Sequence, residues 1–457
     1  MPTVITYPQP HHSVHPSDKY RVNIYHEDSI VNSFVYYTED PHNPAFNTSY
    51  TNFSFEGYIQ VEVVRLDGAP IQDVKVLPTK LGIHAHISGN SAFFFLEDPA
   101  NVAVELDGDE QNSMLVFANP LEEDVPFPGD DNVMYFEPGL HDIGLKHEVP
   151  DGYTVYLAGG AYLTGTLFAG SKVSDVTIRG RGIISGEKFG HGTTYPNKHD
   201  YDAVNFKDAE NVTLEGIIAV DSSHFNFTLR GVGGNDIDNV KAISWWHATD
   251  GILPGKDSVV TNCFLKVNDD AIKLYLKNIT AINNTIWLYQ AGAALQFGWH
   301  NNGENTNFVV DGLYVIKSQS TSAKPYPPTG KWVHPGNKAI FGAVFDGSGG
   351  LSNYSIRNVY IEGECQRIFG LYSYGGGSIS NVNFSNIFVD QPSRSENYFH
   401  SEGVVDGVKD ITIKNFFIGD KLVVDDSDHE WGNNPLQTHN VENLIFTSSY
   451  DELKDSL

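Results

Sequence analysis

The chain is poor in everything that would make a small stapled or membrane-embedded fold. Its 457 residues hold only two cysteines, Cys263 and Cys365. Disulfides therefore cannot be the main staple, and two thiols so far apart do not read as a metal site, so both are expected as buried apolar residues. No apolar run approaches the roughly 18–20 residues of a membrane span, and the start, MPTVITYPQPHHSV, lacks the basic and apolar regions of a leader. Positive charge is scarce: 29 Lys and Arg face 57 Asp and Glu, a net of −28. That field repels nucleic acid and anionic membranes and disfavours polyanionic substrates. Helical periodicity is missing from the chain after residue 132.

What is present is glycine, 43 residues, and 12% aromatics, a composition that suits a strand-rich globular protein. Eight N-x-[ST] sequons, at Asn47, Asn52, Asn211, Asn226, Asn278, Asn283, Asn353 and Asn383, fit either a glycosylated, secreted protein or Asn-rich turns. Residues 20–125 contain short alternating runs such as YRVNIY, YIQVEVVRL and SMLVFA between turn residues, which predicts an antiparallel sandwich. The polar, Pro-rich stretch 119–132 reads as a join. We take residues 1–125 as an N-terminal β-sandwich, 126–132 as a linker and 133–457 as a second domain.

In that second domain an Asn or Asp repeatedly precedes a short β-branched run: DVTIRGRGIISG, NVTLEGIIAV, NITAINNTIW, NVNFSNIFV. Recurrence every 20–30 residues or so, with abundant glycine, predicts the coils of a parallel β-helix. The fold class is all-β. A polar insertion from Lys317 to Lys338, carrying Tyr326, Trp332 and His334, is expected to border a cleft.

The run KVNDDAIKLY (266–275) places Asp269 and Asp270 inside a strand-like pattern, where Asp is least at home. Asp250, in WWHATDG, stands nineteen residues before Asp269. With coils of about 20 residues, Asp250 and the pair stack on adjacent coils. Crowded carboxylates cannot all ionise cheaply, so one keeps its proton near neutral pH, as a general acid beside a general base requires. Calcium ligation, an Asp ladder and solvated charge are the competing readings. The pair lacks the alternate ligand spacing of a calcium loop, and Trp245, Trp246, Trp287 and Trp299, four of six tryptophans, lie nearby. Carbohydrate hydrolysis is favoured, with no cofactor and no metal.

These elements also carry a resemblance. TDG, NDDAIKLY, Trp287 and QFGW (296–299), with LVFANP, YLAGGAYLTGTL and GRGIISGEKF upstream, are similar in order and spacing to glycoside hydrolase family 49, the dextranase and isopullulanase family. The resemblance covers most of residues 113–316. It implies a right-handed β-helix after the sandwich and an inverting hydrolase cleaving α-glucosidic bonds of a neutral glucan such as dextran or pullulan. Asp250, Asp269 and Asp270 fall on the family's catalytic carboxylates, with Asp269 as acid and Asp250 or Asp270 activating water. Lys273, Tyr275, Gln296, Trp299, Trp246 and, more weakly, His247 fall where substrate contacts would lie. The polygalacturonases resemble the chain in TDG and DD, but their Gly-His-Gly and Arg-Ile-Lys elements are missing here. WLYQAGAALQFGW offers neither His nor Arg for a carboxylated sugar. A pectinase-like hydrolase of galacturonan is the alternative enzyme, and a non-catalytic glycan-binding β-helix the alternative class. The expected partner is a polysaccharide or oligosaccharide, with no nucleic acid and no membrane. A secreted monomer is expected.

Overall fold

The computed structural model describes residues 3–191, 197–299, 303–320, 337–345, 349–402 and 407–449. The first strands form two sheets with a shared core. One orders Thr3–Thr6, Asn47–Glu56, Asn112–Asn119, Ala100–Leu106 and Val74–Leu77, with Val35–Glu39 beside Asn47–Glu56; the other orders Ser29–Ser33, Tyr20–His26, Ile59–Arg65, Ser91–Leu96 and Ala85–Ser88. Alternation places Val22, Ile24, Val61, Val63 and Phe94 inward against Phe53, Val102, Val104, Met114 and Val116. One pair departs from the antiparallel expectation. Asn112–Asn119 lies parallel to Asn47–Glu56, because the chain between them crosses to the second sheet and back.

From Val133–Phe136 onward the strands stack in parallel, each on the equivalent strand of the next coil, except that the short Lys421–Leu422 folds back antiparallel on Val408–Ile418. The repeated Asn and Asp residues sit at the coil corners with left-handed backbone, including Asp175, Asn211, Asn278, Asn307, Asn353 and Asn381. Their side chains bond corner to corner, Asn307 to Asn278 at 2.9 Å and Asn381 to Asn353 at 2.7 Å. Asn tolerates positive φ better than other side-chain residues and its amide both donates and accepts, so a ladder forms wherever it recurs. This turn chemistry accounts for several of the sequons, and Asn47, Asn52 and Asn226 are buried. Coil length is uneven: bonded corners are 21 residues apart at Asp257 and Asn278 and 46 apart at Asn307 and Asn353. The long interval holds the predicted insertion; Tyr326, Trp332 and His334 lie outside the described residues.

The sandwich packs on one flank of the solenoid. Tyr36, Tyr50, Leu115 and Phe117 meet Tyr162, Ile218, Val220, Ile243, Phe264 and Trp287 in one apolar cluster. Trp245 is also spent here. Its Nε1–H donates to Thr38 at 3.1 Å, and the Lys266 ammonium sits 4.9 Å from its ring and 4.1 Å from that of Trp287. Two of the four tryptophans near the carboxylates thus serve the interface and not a sugar, a distinction of strand face that clustering in sequence does not reveal. Cys263 and Cys365 are buried free thiols, as expected.

Lys266 donates to Thr48 and Ser113, 2.8 Å each, and burial pulls its pKa down to about 7. The unfolded chain, with lysine near 10.4, binds the extra proton between about pH 7 and 10.4, so this group's contribution to stability rises with pH across that window. Lys266→Met, which leaves Thr48 and Ser113 bonded to each other at 2.9 Å, is expected to raise stability by about 1–2 kcal/mol at pH 7. Denaturant titrations of both proteins across pH 7–10 check this; the gap should close as pH rises.

Candidate active site

Neighbouring coils bring the carboxylates together. Ile252 pairs with Ile272 and Gly251 N–H donates to the Asp270 carbonyl at 2.9 Å, so Asp250 stacks on Asp270. The offset between the two coils is 20 residues, as the pairing of Ile252 with Ile272 shows, so of the expected pair it is Asp270 that stacks on Asp250. Asp269 stands a place earlier, and one oxygen from each of Asp250, Asp269 and Asp270 lies within 4.8 Å of the others.

The three are held differently. Lys273 lies between Asp250 and Asp270, in direct contact with Asp250 and 3.4 Å from Asp270. Its ammonium supplies the positive charge that a cation would otherwise bring. Asp270 is further held through Oδ1 by Ala293 N–H at 3.0 Å and Asn337 at 2.6 Å. Asp269 accepts a hydrogen bond only from its neighbour, Asp270 N–H to Oδ1 at 2.9 Å, among the described residues. Burial drives the Asp269 carboxyl well above the usual range, with Asp250 and Asp270 adding to the rise. Burial also lifts Asp250, to about 7, against the opposing Lys273 ammonium. Lys273 resists its own burial because Asp250 holds it charged. Asp269, which makes no ion pair among the described residues although Lys273 and Lys338 lie near enough to feel its charge, is therefore the carboxyl that retains a proton.

The floor beneath Asp269 is Gly292, at φ +75°; a Cβ there would come within 2.1 Å of the Asp269 carbonyl carbon and 2.3 Å of Asp270 N. Gly292→Ala is expected to lower kcat at least about 100-fold, since misplacing reacting groups by about 1 Å costs that much, with β-sheet circular dichroism retained. Wild-type kcat in this variant would show that the backbone under the pair yields freely.

The other predicted residues divide. Tyr275 and Trp299 line a cavity of about 400 Å³ beside Lys273, walled also by Phe225, Leu253 and Arg230. The Tyr275 hydroxyl is buried with no hydrogen-bond partner among the described residues. Gln296 does not face that space. It is fully buried, and its amide fits best with nitrogen on the Gly298 and Gly342 carbonyls, 2.8 Å each, and oxygen accepting from Asn337, an arrangement preferred over a 3.3 Å approach to Asp270. It braces Asp270 through Asn337, which corrects its reading as a sugar contact. Trp246 and His247 form a separate aromatic group, with Trp246 ring-centroid distances of 4.2 Å to His247, 4.8 Å to His42 of the sandwich and 5.7 Å to His191. A larger cavity of about 770 Å³ belongs wholly to the sandwich and holds none of the carboxylates.

Sequence reasoning missed Asn337, which follows the insertion and has no coil position to mark it, and the network around Asp202. That carboxylate is fully buried and accepts from His224 at 2.6 Å, Thr228 at 2.9 Å and Phe225 N–H at 3.2 Å, and His199 lies 3.2 Å away. His224 stacks on Phe225, over which the Lys273 ammonium sits at 4.6 Å.

With this geometry in view, the chain was compared with known proteins. No family model matches. A dextranase of Arthrobacter sp. (strain CB-8) is 26% identical over 297 residues, 54% of this chain and 46% of the relative. Isopullulanase of Aspergillus niger is 24% identical over 373 residues, 68% of this chain and 64% of the relative. The chain is thus similar in sequence to dextranases and an isopullulanase, the proteins its resemblance pointed to. It spans about half the length of the dextranases first matched. The fold extends further than the sequence match. Dex49A from Penicillium minioluteum superposes with a TM-score of 0.75 over 95% of this chain and 96% of that one, at 19% identity. The chain thus carries the sandwich and parallel coils that the resemblance implied.

Proposed function

We propose that the protein hydrolyses α-glucosidic bonds in a neutral glucan backbone, and that Asp250, Asp269 and Asp270 carry the reaction. The observation that carries this reading is the unequal treatment of three adjacent carboxylates: Lys273 contacts Asp250 and Asp270, N–H donors also hold Asp270, and burial and its two neighbours raise Asp269 well above the usual carboxylate range. Asp269 then donates its proton to the glycosidic oxygen. Asp250 and Asp270 hold and deprotonate a water. Homology to dextranases and isopullulanase supports the substrate class.

The separation within 4.8 Å is shorter than the roughly 6.5–9.5 Å of most inverting pairs and nearer the 5–5.5 Å of retaining ones. Against covalent attack, Asp270 already accepts from Ala293 N–H and Asn337 on one oxygen and faces Lys273 with the other. It is set to accept from a water more readily than to bond to carbon. We therefore keep the inverting reading.

A reducing-sugar assay on dextran, pullulan, nigeran and polygalacturonate tests the function. Release from an α-glucan is expected, with dextran and pullulan first. Turnover of polygalacturonate alone would move the protein to the pectinases, and binding without turnover on all four would make it a glycan-binding solenoid.

A further inference from the structure

The cavity beside Lys273 shares His199 and Arg230 with a second pocket of about 560 Å³, lined by Lys146, Lys198, Lys207 and Arg230, with Asp200 as its one carboxylate. Four cations converge there in a chain that has only 29 against 57 acids. They come from four separate stretches: Gly139–Glu148, the turn Lys198–Tyr201, Val204–Glu210 and the residue after Phe227–Leu229. Among the described residues, the only ion pair of these four is Lys146 to Asp200, at 3.3 Å.

Like charges repel, so their gathering needs structural support, and the structure supplies it twice. The Lys146 and Lys207 ammoniums both sit 4.9 Å from the Phe168 ring centroid, where the ring's negative face attracts them. Arg230 donates to the His199 ring at 3.2 Å, and His199 in turn contacts the buried Asp202. Arg230 is thereby aimed at the junction of the two cavities by a carboxylate that is itself fully engaged.

We propose that this pocket binds an oxyanion carried by the glucan, either a phosphate or sulfate ester or the carboxylate of a uronic unit. This rests on the reading of the site as an α-glucan hydrolase and narrows its substrate. The net charge of −28 opposes a uniformly charged polymer, but it does not set the local potential inside a pocket lined by cations. A single anionic group would sit one cavity away from the Asp cluster, clear of its repulsion, while the sugars at the scissile bond stay neutral. The substrate is then a sparsely charged α-glucan, and the charge fixes which bond is presented.

The test compares three α-gluco-oligosaccharides of equal length: neutral, bearing one phosphate ester, and bearing one glucuronate. The wild type should turn over at least one charged form with kcat/KM about tenfold above the neutral one, the equivalent of two exposed ion pairs, and added salt should narrow the difference. A Lys198→Gln and Lys207→Gln double variant should lose that preference and keep neutral turnover within about twofold. Preference for the ester alone or the uronate alone identifies the anion. No preference in the wild type, or equal losses on neutral and charged substrates in the variant, overturns the proposal. If no α-glucan is cleaved at all, the hydrolase reading fails separately. Calorimetry of the three oligosaccharides with Asp269→Asn still reads the pocket, and binding blind to charge rejects it.

Discussion

Asp269→Asn is expected to lower kcat about 10²–10⁴-fold on a natural glucan, the contribution of a general acid, with KM changed little. Asn fills the same volume but cannot give up a proton. A substrate with a leaving group that needs little protonation, such as an aryl glycoside of an isomalto-oligosaccharide, should recover most of the lost rate in Asp269→Asn. It should recover little in Asp250→Asn or Asp270→Asn, which lack the water-activating anion. Recovery at either of those positions instead would transfer the acid role. The same substitution should stabilise the fold at neutral pH. The folded Asp269 carboxyl is driven upward by burial and by Asp250 and Asp270, so the folded state binds its proton where the unfolded chain has released it. Its contribution to stability is then lost as pH rises above the unfolded value, near 4. A higher Tm for Asp269→Asn than for the wild type at pH 8, with no difference at pH 4, is the expected pattern.

Lys273→Met should be the most destabilising single change in the cleft, by about 3–5 kcal/mol at pH 8, because it strands two buried carboxylates without their shared cation. Lys273 contacts both Asp250 and Asp270, and all three side chains are more than nine-tenths buried. The loss should shrink on acidification. With the ammonium gone, Asp250, already near 7 with its partner present, takes up a proton and no longer needs one. Denaturant midpoints at pH 5 and 8 check the sign. In the pH–rate profile the acid limb reports the group that must be ionised, and any activity left in Lys273→Met should show that limb displaced to higher pH. A variant as stable as wild type at pH 8 would mean that Lys273 does not bear on the buried charge.

Much of this was written in the chain at short range. The corner ladder follows from an Asn or Asp before each β-branched run, because the same residue type answers both the backbone need for positive φ and the hydrogen bond to the next coil. The carboxylate cluster was legible for a similar reason: a coil repeat converts a sequence interval into a contact. The limits lie where that conversion fails. Coil length varies, so the sequence interval brought Asp250 to the pair without saying which of Asp269 and Asp270 it stacks on. Face is invisible without knowing what covers the solenoid, so Trp245 and Trp287 looked like sugar platforms and instead hold the sandwich. Gln296 sits in a motif with Trp299, yet strand alternation sends one inward and the other to the cavity. Asn337 and the Asp202 network come from a stretch after an insertion and from coils with no distinctive residue pair. Charge totals likewise concealed the basic pocket, since a sum over the chain says nothing about where four cations meet.

The account turns on a single displacement by a water held between Asp250 and Asp270 while Asp269 protonates the departing sugar. Proton NMR of the first sugar released from dextran or pullulan, recorded before mutarotation, reads this directly. The β-anomer appearing first is the predicted result; the α-anomer appearing first would mean that a carboxylate of the cluster attacks carbon, and would contradict the account.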